Sequence, residues 1–142
     1  TKPDKAYFGE KDYQQLLIIK NMVDLESIPI VIVPVQIYRE IYGLAMSSRN
    51  ERLLPEYKKA APFIFRTLQE AKKKFGTKSA TKVTEWVKKQ FEKNQLLELE
   101  YFIIADIETL KPVKRKSQSK KYRAFIAVYA GEIRLIDNIV LN

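Results

Sequence analysis

The sequence predicts a mixed α/β chain: a βαβ unit, followed by an α+β part of two or more helices packed on a three-stranded antiparallel sheet. Three observations carry this reading. Ala6-Tyr7-Phe8, a glycine, an apolar helical run and Ile30-Val31-Ile32-Val33 follow one another in strand–helix–strand order. Residues 55–93 hold two segments with apolar side chains at helical spacing. Residues 97–105, 124–130 and 133–139 are rich in β-branched and aromatic side chains, the composition of strands.

Taken in order, the first strand breaks at Gly9, and Glu10-Lys11-Asp12 opens a helix that carries Leu16, Leu17, Ile18, Ile19, Met22 and Val23 towards Asp24. Acidic residues in its first turn suit the positive end of the helix dipole. Apolar residues on more than one side predict a helix packed between a sheet and a further layer. The uninterrupted run from Ile30 to Val33 predicts a fully buried strand of a parallel sheet. A helix starts at Pro55, carries the stripe Ala60, Phe63, Ile64, Leu68 and Ala71, and stops at Gly76. Pro62 falls inside it and should kink it or split off a first turn. Ser79 caps the next helix, which runs to about Lys93 with Val83, Trp86, Val87 and Phe91 inward; Trp86 reads as core rather than as a ligand platform. Gly131-Glu132 joins the last two strands as a hairpin.

Composition bounds the function. A chain of 142 residues with 46% hydrophobic content is one ordinary domain, or a small domain with part of another. It has no cysteine and no histidine, which removes disulfides, thiolate chemistry, Ser-His triads and the commonest metal ligand; the expectation is a cytoplasmic protein without a metal site of its own. No apolar run approaches the roughly 20 residues that span a bilayer, and no signal-peptide pattern opens the chain, so no membrane partner is expected. The sequence starts at Thr1 and enters at once what reads as the middle of a fold, the expectation for a piece of a longer protein. The formal charge of +9 favours anionic partners. Much of the excess lies in the low-hydrophobicity segment of residues 111–123, read as a mobile, solvated loop.

Two junctions have the chemistry to meet an anion. Gly9-Glu10-Lys11-Asp12 stands where a strand passes into a helix, the place where α/β units receive phosphates. Gly9 lets a ligand approach the backbone, Lys11 can bind a phosphate, and Asp12 can accept from ribose hydroxyls or cap the helix. Gln15 lies on the same side as Asp12, and its amide, donor and acceptor at once, suits a hydroxy acid. The bland alternative is a capped helix with solvated charges. The second junction, residues 42–50, has no periodicity; Ser47 and Ser48 can donate to phosphate oxygens, and Arg49 offers a charged fork. Its composition fits a polar linker equally well.

Taken together, Phe8-Gly9-Glu10-Lys11-Asp12-Tyr13-Gln14-Gln15-Leu16 and Gly43-Leu44-Ala45-Met46-Ser47-Ser48-Arg49-Asn50 resemble the pantoate–β-alanine ligase (pantothenate synthetase) family, and the resemblance continues through residues 101–106 and Arg134-Leu135-Ile136-Asp137-Asn138. It implies a βαβ remnant of a Rossmann-like nucleotide-binding domain over residues 1–37 and a lid domain over residues 38–142. It also implies ATP as co-substrate with Mg²⁺, pantoate and β-alanine as substrates, a pantoyl-adenylate intermediate, and a homodimeric intact enzyme. By the same resemblance Gly9, Glu10, Lys11, Asp12, Tyr38, Met46, Ser47, Ser48 and Arg49 would line the ATP site, with Lys11, Ser47, Ser48 and Arg49 acting on the phosphates and Gln15 holding pantoate. The serine loop further resembles the mobile signature loop of class I aminoacyl-tRNA synthetases.

Three departures accompany the resemblance. Tyr42 stands where the family has Asp or Asn, Gln36 where proline is common, and the family's amino-terminal half, with its His-x-Gly-His phosphate motif, is absent from these residues. The chain is therefore expected to hold half of an active site and to be inactive alone. Two other readings compete with this one. In the first, the basic segment makes a nucleic-acid-binding module; against it, that segment lacks interleaved aromatics apart from Tyr122. In the second, the chain is a piece of a related class I nucleotidyltransferase or synthetase.

Overall fold

Ala6 and Phe8 turn to the half-buried side of the chain while Lys5, Tyr7 and Gly9 turn outward, the alternation of a strand, β1 (Lys5–Gly9). The computed structural model describes residues 2–142, which divide into two compact units, the first ending at Tyr38 and the second being Arg39–Asn142. In the first unit β1 passes through a 3-10 turn (Glu10–Asp12) into helix α1 (Tyr13–Leu25) and on to β2 (Val31–Val35). The strands pair in parallel with Gly9 opposite Val35, so both leave the sheet at its carboxyl end. The expected βαβ unit is there, but the expected full burial of its second strand is not: Val31 is 58% and Val35 44% exposed. A parallel strand is enclosed only when both neighbours and both faces are covered, and this sheet has two strands.

The second unit has its core between a sheet and two helices. Pro62 splits the predicted helix as its ring requires, giving α2 (Pro55–Ala60) and α3 (Pro62–Phe75) on either side of the fully buried Ala61. α3 ends where Gly76 follows, but that residue keeps a right-handed φ of −59°, so the left-handed freedom of glycine does not end the helix. Ser79 Oγ accepts from the Lys82 amide and starts α4 (Ala80–Glu92). The sheet comprises β3 (Leu97–Asp106), β4 (Tyr122–Ala130) and β5 (Ile133–Val140), all antiparallel with β4 central. A register shift between Leu99 and Tyr101 inserts one residue, and so keeps Leu97 and Leu99 on the same face as Phe102 and Ile104. That face meets Ile64, Leu68, Ala71, Val83, Val87 and Phe91 of the helices in one apolar cluster. In the β4–β5 turn only Gly131 has positive φ (+64°), the pattern of a II′ hairpin.

The basic segment between β3 and β4 is exposed, as expected, but it is tied rather than loose. Val113 donates to the Ile104 carbonyl at 2.9 Å and packs on the core. The Ser117 amide donates to Tyr122 Oη at 2.7 Å. Lys116 donates to the Phe75 carbonyl at the end of α3 and lies 4.6 Å from the centre of that ring. Asp106 turns the chain out of β3, accepting from the amides of Glu108 and Thr109. Those amides, the Thr109 bond foremost, hold its carboxyl below the ordinary 3.8, with Lys120 adding to the effect. A depressed folded pKa means that the contribution is present above the unfolded value and is lost as pH falls through the folded one. Acidification below about pH 4 should therefore release this turn, seen as faster exchange of the Glu108 and Thr109 amides while β4 stays protected. In the core, Ile126→Ala should cost about 2–5 kcal/mol, read from urea unfolding followed by fluorescence of the single tryptophan, Trp86.

Candidate functional site

At the carboxyl end of β1 the backbone of Gly9 is extended (φ −70°, ψ 135°), and a Cβ placed there would meet nothing within 4 Å. Neither conformation nor packing in this chain calls for glycine, and the backbone there is open to the approach of another group. Glu10 and Lys11 are half-buried in the 3-10 turn, while Asp12 and Gln15 are exposed. Asp12 does not cap α1 through its side chain, so one of the two roles expected for it is absent. The 3-10 turn runs directly into α1 and places Lys11 beside the start of that helix. Gln15 stands in the first helical turn three residues on from Asp12, and Tyr38 lies beyond β2 with its ring 73% exposed. Gln36, between β2 and Tyr38, is exposed as well.

The serine loop belongs to the second unit, and its framework is specific. Arg39 and Ala45 form an antiparallel bridge around a turn closed by Glu40 N to Leu44 O (2.9 Å) and Gly43 N to Glu40 O (2.8 Å). Gly43 has φ +92°, and a Cβ there would run into the Phe65 ring. Only glycine meets both demands; the preceding Tyr42 points into solvent. Asn50 is buried and donates its side-chain amide to Glu40 Oε1 (2.9 Å) and to the Ala45 carbonyl (3.0 Å), tying the end of the loop to its start. Ser47 Oγ accepts from the Arg49 amide at 3.3 Å and caps the 3-10 helix Ser48–Arg52. Accepting uses a lone pair and leaves the hydroxyl proton for another acceptor. Met46, Ser48 and Arg49 are exposed; the Arg49 guanidinium donates to the Arg134 carbonyl of β5 at 3.3 Å.

Sequence reasoning missed the group that anchors this loop. Arg39 donates to both carboxylate oxygens of Asp137 (2.6 and 2.9 Å) and to the Gly43 carbonyl (3.1 Å), while its guanidinium lies 3.8 Å from the centre of the Phe65 ring. Asp137 sits on the core face of β5, in register with Ile126, with its side chain 3% exposed. Its Oδ1 also accepts from the Asn138 amide. Removing one member of such a pair strands a buried charge, at a cost on the order of 3–5 kcal/mol. Nothing local signals it: the two residues lie 98 positions apart. The predicted site residues thus form two groups, Gly9 to Gln15 with Tyr38 in one unit and Met46 to Arg49 in the other. Among the described residues no group of three or more acidic, histidine or cysteine side chains could hold a metal ion.

Comparison with known proteins identifies the family. The family model described as pantoate-beta-alanine ligase matches residues 1–140. The chain belongs to that family. It is 57% identical over 140 residues to a pantothenate synthetase of Christiangramia forsetii and 56% identical over 142 residues to one of Flavobacterium psychrophilum. These matches cover 99% and 100% of this chain but 50% of each relative, so the chain spans about half the length of the curated relatives it matches. A crystal structure of pantothenate synthetase from Thermus thermophilus superposes with a TM-score of 0.88 at 36% identity, over 98% of this chain and 50% of that one. The ligase of Francisella tularensis, described as complexed with beta-gamma ATP and beta-alanine, gives a TM-score of 0.67 at 29% identity, over 99% and 45%.

The family assignment covers both phosphate-binding candidates, and the two differ in what substitution should do. Gly9→Ala should leave the stability of the chain within about 0.5 kcal/mol, because the site has room and ordinary backbone. Asn50→Ala should destabilise the second unit by about 1–3 kcal/mol, since Glu40 and the Ala45 carbonyl lose a buried donor. Parallel thermal melts of the two variants check both expectations.

Proposed function

We propose that this chain supplies one half of an ATP-dependent ligase that joins pantoate to β-alanine, and that its two anion-binding elements act on the nucleotide phosphates. The carrying observation is that the family match spans residues 1–140, which include both Gly9–Asp12 and Met46–Arg49. In the reaction a carboxylate oxygen of pantoate bonds to the α-phosphorus of ATP, and pyrophosphate leaves. The amine of β-alanine then attacks the acyl carbon, AMP leaves with the bonding electron pair, and the amine sheds a proton. The nucleophiles belong to the substrates, so a chain without histidine or cysteine lacks nothing that this chemistry needs from it.

The protein's work is positioning and charge stabilisation. Gly9 lets the nucleotide lie against the backbone, and Lys11 places a point charge beside the phosphates. Glu10, Asp12, Tyr38 and Met46 border the nucleotide, and Gln15 orients pantoate through its amide. Ser47 and Ser48 donate hydroxyl protons and Arg49 a planar fork to phosphate oxygens as charge moves onto the leaving group. The described residues offer no carboxylate cluster for Mg²⁺; the ion would arrive on the nucleotide phosphates, as part of the substrate. The intact enzyme acts as a homodimer in the cytoplasm, and the tied basic segment is solvated surface rather than a nucleic-acid site. The chain has no helix long and apolar enough to cross a membrane among its described residues.

The 142-residue chain alone should show no ligase turnover. Joined behind the remaining half of the Flavobacterium psychrophilum relative, it should form pantothenate and AMP in equal amounts. In that full-length enzyme Lys11→Ala and Arg49→Ala should each lower kcat about 10²-fold or more, the scale for loss of one transition-state donor. Turnover by the chain alone, or unchanged kcat in both variants, would contradict the assignment.

A further inference from the structure

The second unit carries two guanidinium groups on the same open edge of β5, and they are held very differently. Arg49 is exposed and makes one neutral contact, at 3.3 Å, to the Arg134 carbonyl. Arg39 reaches the Asn138 carbonyl four residues further along, but it is fixed by the paired bonds to buried Asp137, by the Gly43 carbonyl and by the Phe65 ring. A planar fork matched to both oxygens of a carboxylate and stacked on a ring has few alternative geometries. A guanidinium on a single exposed carbonyl can leave at small cost. The loop between them begins at Arg39 and ends at Asn50, whose side chain bonds Glu40 and Ala45.

We infer that Arg39, seated on Asp137 and Phe65, is the positioning residue of the phosphate loop: it sets where Met46–Arg49 stand, and Arg49 is the group that moves from the β5 edge to the ligand. This rests on the ligase reading above for the identity of the ligand, not for the geometry. Arg39 itself is turned inward, with every bond just named going to the protein, and is no phosphate ligand. Its effect on catalysis should therefore pass through Arg49. A phosphate-contacting arginine would add its own loss to that of Arg49; a positioning one would not, because residues acting as a unit are non-additive. The conservative Arg39→Lys keeps the charge and loses the fork and the stacking, and Asp137→Asn keeps the shape and loses the charge.

Two measurements test this. On the 142-residue chain, hydrogen exchange of the amides of residues 43–49 should quicken at least about tenfold more than that of the β4 amides in Arg39→Lys and in Asp137→Asn; loop exchange that quickens no more than that of β4 would overturn the inference. In the full-length enzyme carrying this chain, Arg39→Lys should lower kcat/KM for ATP about tenfold or more while KM for pantoate stays within twofold. In the Arg49→Ala background the same change should cost less than about threefold. Multiplicative losses, or a lower melting temperature with kcat and both KM values unchanged, would also overturn it. Because exchange is read without substrates, an enzyme whose unsubstituted form makes no pantothenate would sink the ligase reading while leaving exchange to decide on the clamp.

Discussion

The second unit depends on the burial of one face of β4 and its two neighbours beneath α3 and α4. β4 is paired along both edges, and Tyr122, Ala124, Ile126, Val128 and Ala130 turn inward from it with almost no exposure. The apolar area removed from water there provides the main favourable term. It also fixes the register of β5, because a slip by one residue would turn Leu135 outward and bring Arg134 into the core. With the register fixed, Asp137 has one place to go, opposite Ile126 and within reach of Arg39. A charged group in an apolar layer is tolerated because its carboxylate is satisfied by a guanidinium and a backbone amide. The site loop is in this sense an extension of the core.

The loop of residues 39–50 combines order and freedom in one short stretch. The structure divides these between residues that are neighbours in the chain. Gly43 and Asn50 are locked, one by left-handed backbone under an aromatic ring and the other by burial and two bonds. Met46, Ser48 and Arg49 between them face solvent. On the other unit Gly9 adds the reverse arrangement, a backbone without strain and without neighbours, open to whatever approaches. Both arrangements suit the role proposed for them, in which the substrates react with each other and the protein aims them.

What the sequence made legible was local. Pro62 announced the break between α2 and α3, Ser79 the start of α4, Gly131 the hairpin, and the β-branched and aromatic composition of residues 97–105, 124–130 and 133–139 the three strands, because each is written in residues close together. The two loops proposed to meet an anion rest on residue chemistry together with family resemblance, neither being decisive alone. The clamp was not, since Arg39 and Asp137 each look like ordinary surface charge until the fold joins them across 98 positions. The basic segment misled for the same reason: low hydrophobicity predicts solvation correctly, but gives no sign that Lys116 would find the Phe75 carbonyl or Ser117 the Tyr122 hydroxyl. The exposed Val31 shows the opposite error, a buried-strand signal in a strand that the two-stranded sheet does not enclose.

The distance between Arg39 and Asp137 also sets an order of events in folding. Closing a loop of 98 residues is entropically costly in an unfolded chain and nearly free once the strands and helices between have condensed. The turn around Gly43 can flicker into shape early, but the guanidinium has nothing to hold until β5 has zipped onto β4. The loop of residues 43–50 therefore becomes rigid after the hydrophobic layer forms, and on partial unfolding it should be among the first parts to lose definition.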